Sequence, residues 1–234
     1  MTGPNRDALV DALWRARHEA TTTRLDDAAW AGLDREVAEA VAGQLYGRVL
    51  SAPPAAWKLG ALDSPTQRRL GLDGPLVAPV LPDRLHQGAR EVRLKLTDFT
   101  QPRLEAELGV QVEGSRAPRP LPCVEVADSR LPGWRLPPAG AIADFGLQGA
   151  MVFGEAAGAV GDVVRVDVRH DGRLVETGEQ SWAETVARLS LLPEEARRQP
   201  CVVATGAITP LVDAAPGRWD FDFHDLGTLS LIFS

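Results

Sequence analysis

The sequence predicts an α+β fold in which N-terminal helices precede a mixed β-roll or barrel. Apolar residues among the first fifty positions fall at helical spacing, whereas many later ones alternate with polar residues, as they do on strands. The regular alternation of strand and helix that is typical of a doubly wound parallel sheet is missing from the pattern. A short helical start followed by many strands therefore favours helices packed beside one curved sheet.

The first fifty residues predict two helices. Leu9, Leu13 and Ala16 form the apolar stripe of the first helix. Asp26 or Asp27 is a suitable cap for the second, and its apolar stripe consists of Trp30, Leu33, Val37, Val41 and Leu45. The two prolines at 53–54 end this pattern and suggest a helical region, 1–52, followed by a β-rich domain, 53–234.

Strands are predicted where apolar and polar residues alternate. The alternating segments are 92–97, 104–113, 164–168, 219–223 and 229–233. Asp171 and Gly172 predict a tight hairpin turn after the third of these segments. Ser181 and Glu184 have the spacing of a capping box, which predicts one helix among the strands.

The composition excludes several classes of partner and site. The 234 residues carry a net charge of -7, which argues against nucleic acid or an anionic membrane as the main partner. Two distant cysteines, Cys123 and Cys201, do not make a disulfide framework or a zinc cluster. The N-terminal residues have no signal-peptide pattern, and no apolar segment is long enough to cross a bilayer. We therefore expect a cytoplasmic protein.

Two glutamates lie two positions apart in a predicted strand. Glu105 and Glu107 would share one face of that strand, where their negative charges repel each other and raise each other's pKa. A divalent cation such as Mg²⁺ or Mn²⁺ relieves such repulsion and prefers oxygen ligands. The pair taken alone is also compatible with the solvated face of an amphipathic strand, which is the commoner arrangement.

A third glutamate lies in an otherwise apolar segment. Glu125 is flanked by Val124 and Val126, and a buried carboxylate must be paired, protonated or bound to a cation. It would serve as a third metal ligand, unless the strand lies at a sheet edge and Glu125 faces water. Asp128 and Arg130 follow closely and form either a supporting ion pair or a plain salt bridge in a loop.

Lysine occurs only twice in this arginine-rich chain, at Lys58 and Lys95. Lys58 lies between Trp57 and Leu59, and a desolvated lysine can donate or accept a proton or stabilise an anion. A lysine whose apolar stem covers a strand edge explains the same pattern. Farther along, Thr205 either offers its hydroxyl to a substrate carboxylate or simply ends a strand.

Several short motifs, taken in order, resemble the 2-keto-4-pentenoate hydratases. These enzymes belong to the fumarylacetoacetate hydrolase superfamily, together with the related 4-oxalocrotonate decarboxylases. The matching segments are 57–60, 68–73, 105–107, 125–130, 141–144, 171–178, 203–207 and 226–231. Each motif is short, so the resemblance depends on their order along the chain.

The resemblance implies a metal-dependent lyase of aromatic catabolism with the β-roll of that superfamily. It implies that Mg²⁺ or Mn²⁺ is held by three ligands, Glu105, Glu107 and Glu125. Lys58 would be the catalytic lysine of the β-rich domain. A homo-oligomer is expected by the same analogy.

The resemblance also implies a small 2-oxo acid substrate and substrate contacts at Leu59, Gln148 and Thr205. The leading interpretation is a hydratase that adds water to a 2-hydroxydienoic acid. Decarboxylation, tautomerisation or C–C hydrolysis on the same scaffold is the alternative, as is a non-catalytic partner subunit.

The chain departs from the family pattern around the expected substrate pocket. The differing positions are Leu76, Phe145, Leu147 and Gln148. The expected metal ligands and Lys58 match the pattern. The sequence therefore predicts the metal site but leaves the identity of the substrate open.

Overall fold

The computed structural model describes residues 5–114 and 116–234, which contain six α-helices and thirteen strands. The helices are α1 (Arg6–Glu19), α2 (Arg35–Gly47), α3 (Ser64–Leu70), α4 (Gly140–Ala143), α5 (Trp182–Arg188) and α6 (Glu194–Arg198). The strands are β1 (Ala56–Gly60), β2 (Leu76–Pro79), β3 (Leu85–Gln87), β4 (Glu91–Leu94), β5 (Arg103–Val112), β6 (Arg119–Ala127), β7 (Gln148–Phe153), β8 (Val163–His170), β9 (Arg173–Ser181), β10 (Cys201–Ala207), β11 (Val212–Asp213), β12 (Gly217–Phe223) and β13 (Gly227–Phe233). Short 3-10 helices occupy several of the connections.

The strands form two mixed sheets. The larger sheet has the order β2-β1-β10-β5-β6-β7-β3, with β11 paired beside β5, and the smaller has the order β4-β13-β12-β8-β9. Three pairs, β1 with β10, β3 with β7 and β4 with β13, are parallel, and the other pairs are antiparallel. The predicted α+β fold with a mixed sheet is therefore confirmed.

One face of β5 packs against the smaller sheet. Leu104, Ala106 and Leu108 are fully buried there among apolar side chains of β8, β12 and β13. Because successive side chains on a strand point to opposite faces, Glu105 and Glu107 project from the other side of the larger sheet. The alternation that builds the core thus also places the two carboxylates together.

The N-terminal helices pack on the segment that follows β6. Leu13 of α1 and Val41 of α2 are fully buried in one cluster with Phe145. This cluster supports the chain immediately before β7. The division into regions 1–52 and 53–234 stays a prediction.

The predicted second helix is interrupted, so the expectation of one continuous helix from Asp26 or Asp27 is wrong. A 3-10 turn covers Asp27–Trp30, and α2 begins only at Arg35. Gly32 between them has φ 79°, a conformation that cannot continue a right-handed helix. Asp34 then caps α2, because its side chain accepts a hydrogen bond from Val37 N.

Other local predictions are confirmed or adjusted. The strand predicted over 92–97 ends at Leu94, and Leu96–Asp98 forms a 3-10 turn. The hairpin turn is confirmed, with φ 47° at Asp171 and 79° at Gly172. Ser181 caps α5 as predicted. Among the described residues, no helix is both long and apolar enough to cross a membrane.

Candidate active site

Three glutamates meet on β5 and β6. Glu105 and Glu125 are directly opposite each other in the antiparallel pairing of these strands, and Glu107 lies two residues farther along the same face of β5. Each of the three offers a carboxylate oxygen, and these oxygens lie within 4.8 Å of one another. The structure thus brings together all three predicted ligands.

These carboxylates are withdrawn from solvent. Glu107 and Glu125 are each 1% exposed, and Glu105 is half-buried. Burial, together with the negative charge of Glu125, raises the pKa of Glu105 to about 8 and raises that of Glu107 well above its usual value. The alternative interpretations, a solvated strand face for the first pair and an edge strand for Glu125, are therefore wrong.

Lys58 lies beside this cluster. It is 5% exposed, and β1 has β2 on one side and β10 on the other, so it is not a lysine on a sheet edge. Its Nζ donates hydrogen bonds to Glu125 Oε1 and, at 2.9 Å, to the carbonyl oxygen of Gly146. Burial acts to lower the pKa of Lys58, but the neighbouring carboxylates, Glu125 foremost, raise it above its ordinary value.

The donor set fits a hard divalent cation. Three closely spaced carboxylates face a single ammonium group, so ionising all three without a further cation is costly. Mg²⁺ and Mn²⁺ prefer oxygen ligands of this kind. Glu107 Oε2 also accepts a hydrogen bond of 2.8 Å from Gly206 N–H, which fixes the direction of that carboxylate.

The cluster opens into a cavity of about 900 Å³. Glu105, Glu125 and Lys58 contribute to its wall, whereas Glu107 lies behind them. Leu59, a predicted substrate contact, also lines the cavity. This combination of an apolar wall and a few convergent charged groups is typical of sites for small molecules.

Two other predicted substrate contacts do not line this cavity. Gln148 is 1% exposed, and its amide group is bound to protein atoms, with the Nε2 donating to Pro79 O at 2.8 Å and the Oε1 accepting from Leu81 N at 2.9 Å. The hydroxyl of Thr205 donates to Leu108 O at 2.5 Å. Their positions do not support direct contact with a substrate, because their polar atoms are already used to hold strands and loops together.

The sequence suggested a supporting role for Arg130 and Asp128, but not that Asp144 is the main partner of Arg130 beside Gly146. Arg130 is 1% exposed, and its Nε donates to Asp144 Oδ1 at 2.6 Å. Asp144 is fully buried, and the next residue, Phe145, packs under the guanidinium of Arg130. Arg130 also lies 3.5 Å from Asp128, so these residues form a buried network and not a salt bridge in a surface loop. In the sequence, these residues lie in two of the short motifs that resemble the family, 125–130 and 141–144.

Breaking this network should destabilise the protein. We expect Asp144→Asn to lower the free energy of unfolding by about 3–5 kcal/mol, because it removes the carboxylate partner of a buried guanidinium. Urea unfolding followed by circular dichroism measures this change. Asp11→Asn, which removes an exposed partner of Arg48, is the control and should cost less than about 1 kcal/mol. Equal effects of the two variants would contradict the structural role of Asp144.

Comparisons with known proteins test the predicted resemblance. No family model matches the sequence. The chain is 26% identical over 206 residues to 2-hydroxyhexa-2,4-dienoate hydratase of Comamonas testosteroni, a match that covers 76% of this chain and 77% of that protein. This relative is a hydratase of the kind that the sequence motifs resemble. The predicted family resemblance is thereby confirmed.

Solved structures show the same fold. A 4-oxalocrotonate decarboxylase from Pseudomonas putida G7, complexed with magnesium and adipate, superposes with a TM-score of 0.83 at 19% identity, over 98% of this chain and 97% of that one. A 5-carboxymethyl-2-hydroxymuconate delta-isomerase from Mycobacterium smegmatis is more distant, with a TM-score of 0.52 at 12% identity over 77% of this chain and 78% of that one. The fold of the 4-oxalocrotonate decarboxylase is thus shared over nearly the whole chain.

Proposed function

We propose that the protein is a divalent-metal-dependent lyase that adds water to a short 2-hydroxydienoic acid, the enol form of a 2-oxo-enoic acid. The observation that carries this proposal is a cluster of three carboxylates and one buried lysine, of which Glu105, Glu125 and Lys58 line a single cavity. The hydratase from Comamonas testosteroni, which is named for a substrate of this class, supports it.

In this proposal, Glu105, Glu107 and Glu125 hold Mg²⁺ or Mn²⁺. The bound cation would supply positive charge to the carboxylate and 2-oxo oxygens of the substrate. The protein keeps the ligand carboxylates in place beforehand, since cross-strand pairing aligns Glu105 with Glu125 and the Gly206 N–H orients Glu107. Such preorganisation avoids the cost of assembling the ligands during the reaction.

Lys58 is proposed to move a proton at its Nζ. Hydration places a hydroxyl group on one carbon of the double bond and a hydrogen on another, so a proton must be delivered at a defined position. The contacts of Nζ with Glu125 and with Gly146 O hold the ammonium group at the cavity wall. Leu59 is proposed to provide apolar contact for the hydrocarbon part of the substrate.

The experiment is a hydration assay with 2-hydroxypenta-2,4-dienoate. With Mg²⁺ or Mn²⁺ present, we expect the protein to hydrate this substrate, so that the absorbance of the diene falls. We expect EDTA to abolish this fall in absorbance. A parallel assay measures CO₂ release from 4-oxalocrotonate. Release of CO₂ without any hydration would assign decarboxylation instead, and metal-independent turnover would contradict the proposed role of the glutamates.

We also propose that the protein is a cytoplasmic homo-oligomer that acts on small molecules. The acidic net charge of -7 supports a partner other than nucleic acid. Light scattering of the purified protein measures its mass in solution, and a value equal to the 25.1 kDa of one chain would contradict the oligomer.

A further inference from the structure

The turn that precedes β7 has a strained backbone. Three successive residues, Phe145, Gly146 and Leu147, have φ values of 53°, 65° and 63°. The left-handed region is ordinary for glycine, but a residue with a bulky side chain adopts it at a cost in free energy. Such a backbone persists only where the surrounding structure holds it, and it is often found at functional sites. Contacts elsewhere in the fold must therefore hold this turn, residues 145–147, in place.

The middle carbonyl group of the turn binds the proposed catalytic lysine. Gly146 O accepts a hydrogen bond of 2.9 Å from Lys58 Nζ. Among the described residues, the other acceptor of this ammonium group is Glu125, which is also a proposed metal ligand. The acceptor that is not shared with the metal is thus Gly146 O. The direction of this carbonyl group, and hence the conformation of the turn, decides where the ammonium group lies at the cavity wall.

The side chain of Phe145 anchors the turn in the core. It is fully buried, and its ring meets the ring of Tyr46 edge to face at 5.8 Å. Two guanidinium groups also lie over the ring of Phe145, that of Arg17 at 5.2 Å and that of Arg130 at 5.6 Å from its centre. Because two cations beside one ring repel each other, simple filling of the core does not call for this arrangement. Side chains from α1, α2 and the segment after β6 therefore hold the ring.

We propose that Phe145 is a positioning residue for Lys58. Its ring holds the strained turn in the conformation that directs Gly146 O toward the ammonium group. This inference rests on the proposed function, in which Lys58 moves a proton at the cavity wall. Phe145 itself is fully buried behind that wall, so it acts through Lys58 and not on the substrate. Arg17 connects the same ring to α1, and the N-terminal helices thereby contribute to the site.

Nuclear magnetic resonance of lysine observes this ammonium group directly. The chain has two lysines, so labelling lysine with ¹⁵N at Nζ distinguishes the buried Lys58 from the exposed Lys95. Protons of a buried, hydrogen-bonded group exchange slowly with water. We expect Phe145→Leu, which stays apolar but removes the ring, to shift the Lys58 signal and to speed the exchange of its protons. Phe221→Leu, at a fully buried position of β12 in the smaller sheet, is the matched control and should leave the signal unchanged.

Turnover tests whether the position of Lys58 matters for the reaction. Phe145→Leu should lower kcat by roughly 10- to 100-fold, since a small displacement of a reacting group is costly. KM and the affinity for Mn²⁺ should stay unchanged. In a Lys58→Met background the same substitution should have almost no further effect on kcat, because the group that Phe145 positions is already absent. Phe221→Leu should leave kcat unchanged in both backgrounds.

A second variant leaves the ring in place and tests the inference even where circular dichroism shows that Phe145→Leu does not fold. Arg17→Met removes one of the two cations over the ring. It should shift the Lys58 signal and lower kcat in the same direction as Phe145→Leu, by a smaller factor. Arg48→Met removes another guanidinium that lies over an aromatic ring, that of Trp14, and should change neither quantity.

Three results would overturn the inference. The first is an unchanged Lys58 signal in Phe145→Leu and Arg17→Met, whether or not the protein hydrates the proposed substrate. The second is an equal fall in kcat on Phe145→Leu with and without the ammonium group of Lys58, which would place the effect of the ring elsewhere. The third is a parallel loss of Mn²⁺ affinity, which would assign to the ring the support of the whole carboxylate cluster. Absence of metal-dependent turnover by the wild-type protein would contradict the proposed function alone, and the Lys58 signal would then decide the positioning role by itself.

Discussion

Replacing Glu107 with glutamine is expected to weaken Mn²⁺ binding at least about 100-fold, since even residues that only support metal ligands typically cost 10–100-fold. Glu107 is 1% exposed, and its Oε2 is already oriented by the Gly206 N–H. Glutamine preserves the size of the side chain but removes the negative charge, which leaves two carboxylates where three met. Isothermal titration with Mn²⁺ measures the loss directly.

A control variant distinguishes this effect from a general loss of charge. Glu179→Gln removes an exposed carboxylate on β9, in the other sheet, and should leave Mn²⁺ affinity unchanged. Turnover should fall in parallel with metal occupancy for Glu107→Gln and should recover in part at high Mn²⁺ concentration. If Glu107→Gln bound Mn²⁺ as tightly as the wild-type protein, the assignment of this cluster as a metal site would be wrong.

The two glutamates of β5 could be predicted from the sequence because strand periodicity alone places Glu105 and Glu107 on one face. Glu125 could be recognised only as a carboxylate in an apolar segment. Its pairing opposite Glu105 depends on the register of β5 and β6, and register is set by packing across the whole sheet, which a single sequence does not display. The family resemblance supplied what periodicity could not.

Other parts of the site depend on contacts that a single sequence does not reveal. A backbone carbonyl, that of Gly146, binds Lys58, and every residue has such a group. Gln148 was predicted to contact the substrate because it is a polar residue near the expected pocket. Its amide group instead forms hydrogen bonds that hold protein segments together.

Replacing Lys58 with methionine is expected to lower kcat by about 10²- to 10⁴-fold, the range typical for loss of a proton-transfer group. Methionine retains much of the apolar stem but has no ammonium group, so no proton can be exchanged at that position. Metal affinity should stay the same or increase, because the ammonium group of Lys58 no longer competes with the metal for Glu125. Loss of turnover with intact Mn²⁺ binding is thus the opposite of the pattern expected for Glu107→Gln.

A second substitution separates proton transfer from simple electrostatic support. Lys58→Arg keeps a positive charge beside Glu125, but a guanidinium does not release its proton under ordinary conditions. If Lys58 moves a proton, arginine should not restore kcat. Lys95→Met, which alters the other lysine of the chain at an exposed position, should behave as the wild-type protein. Full activity of Lys58→Arg would assign to Lys58 the role of a fixed charge that positions Glu125, because only the charge would then be required.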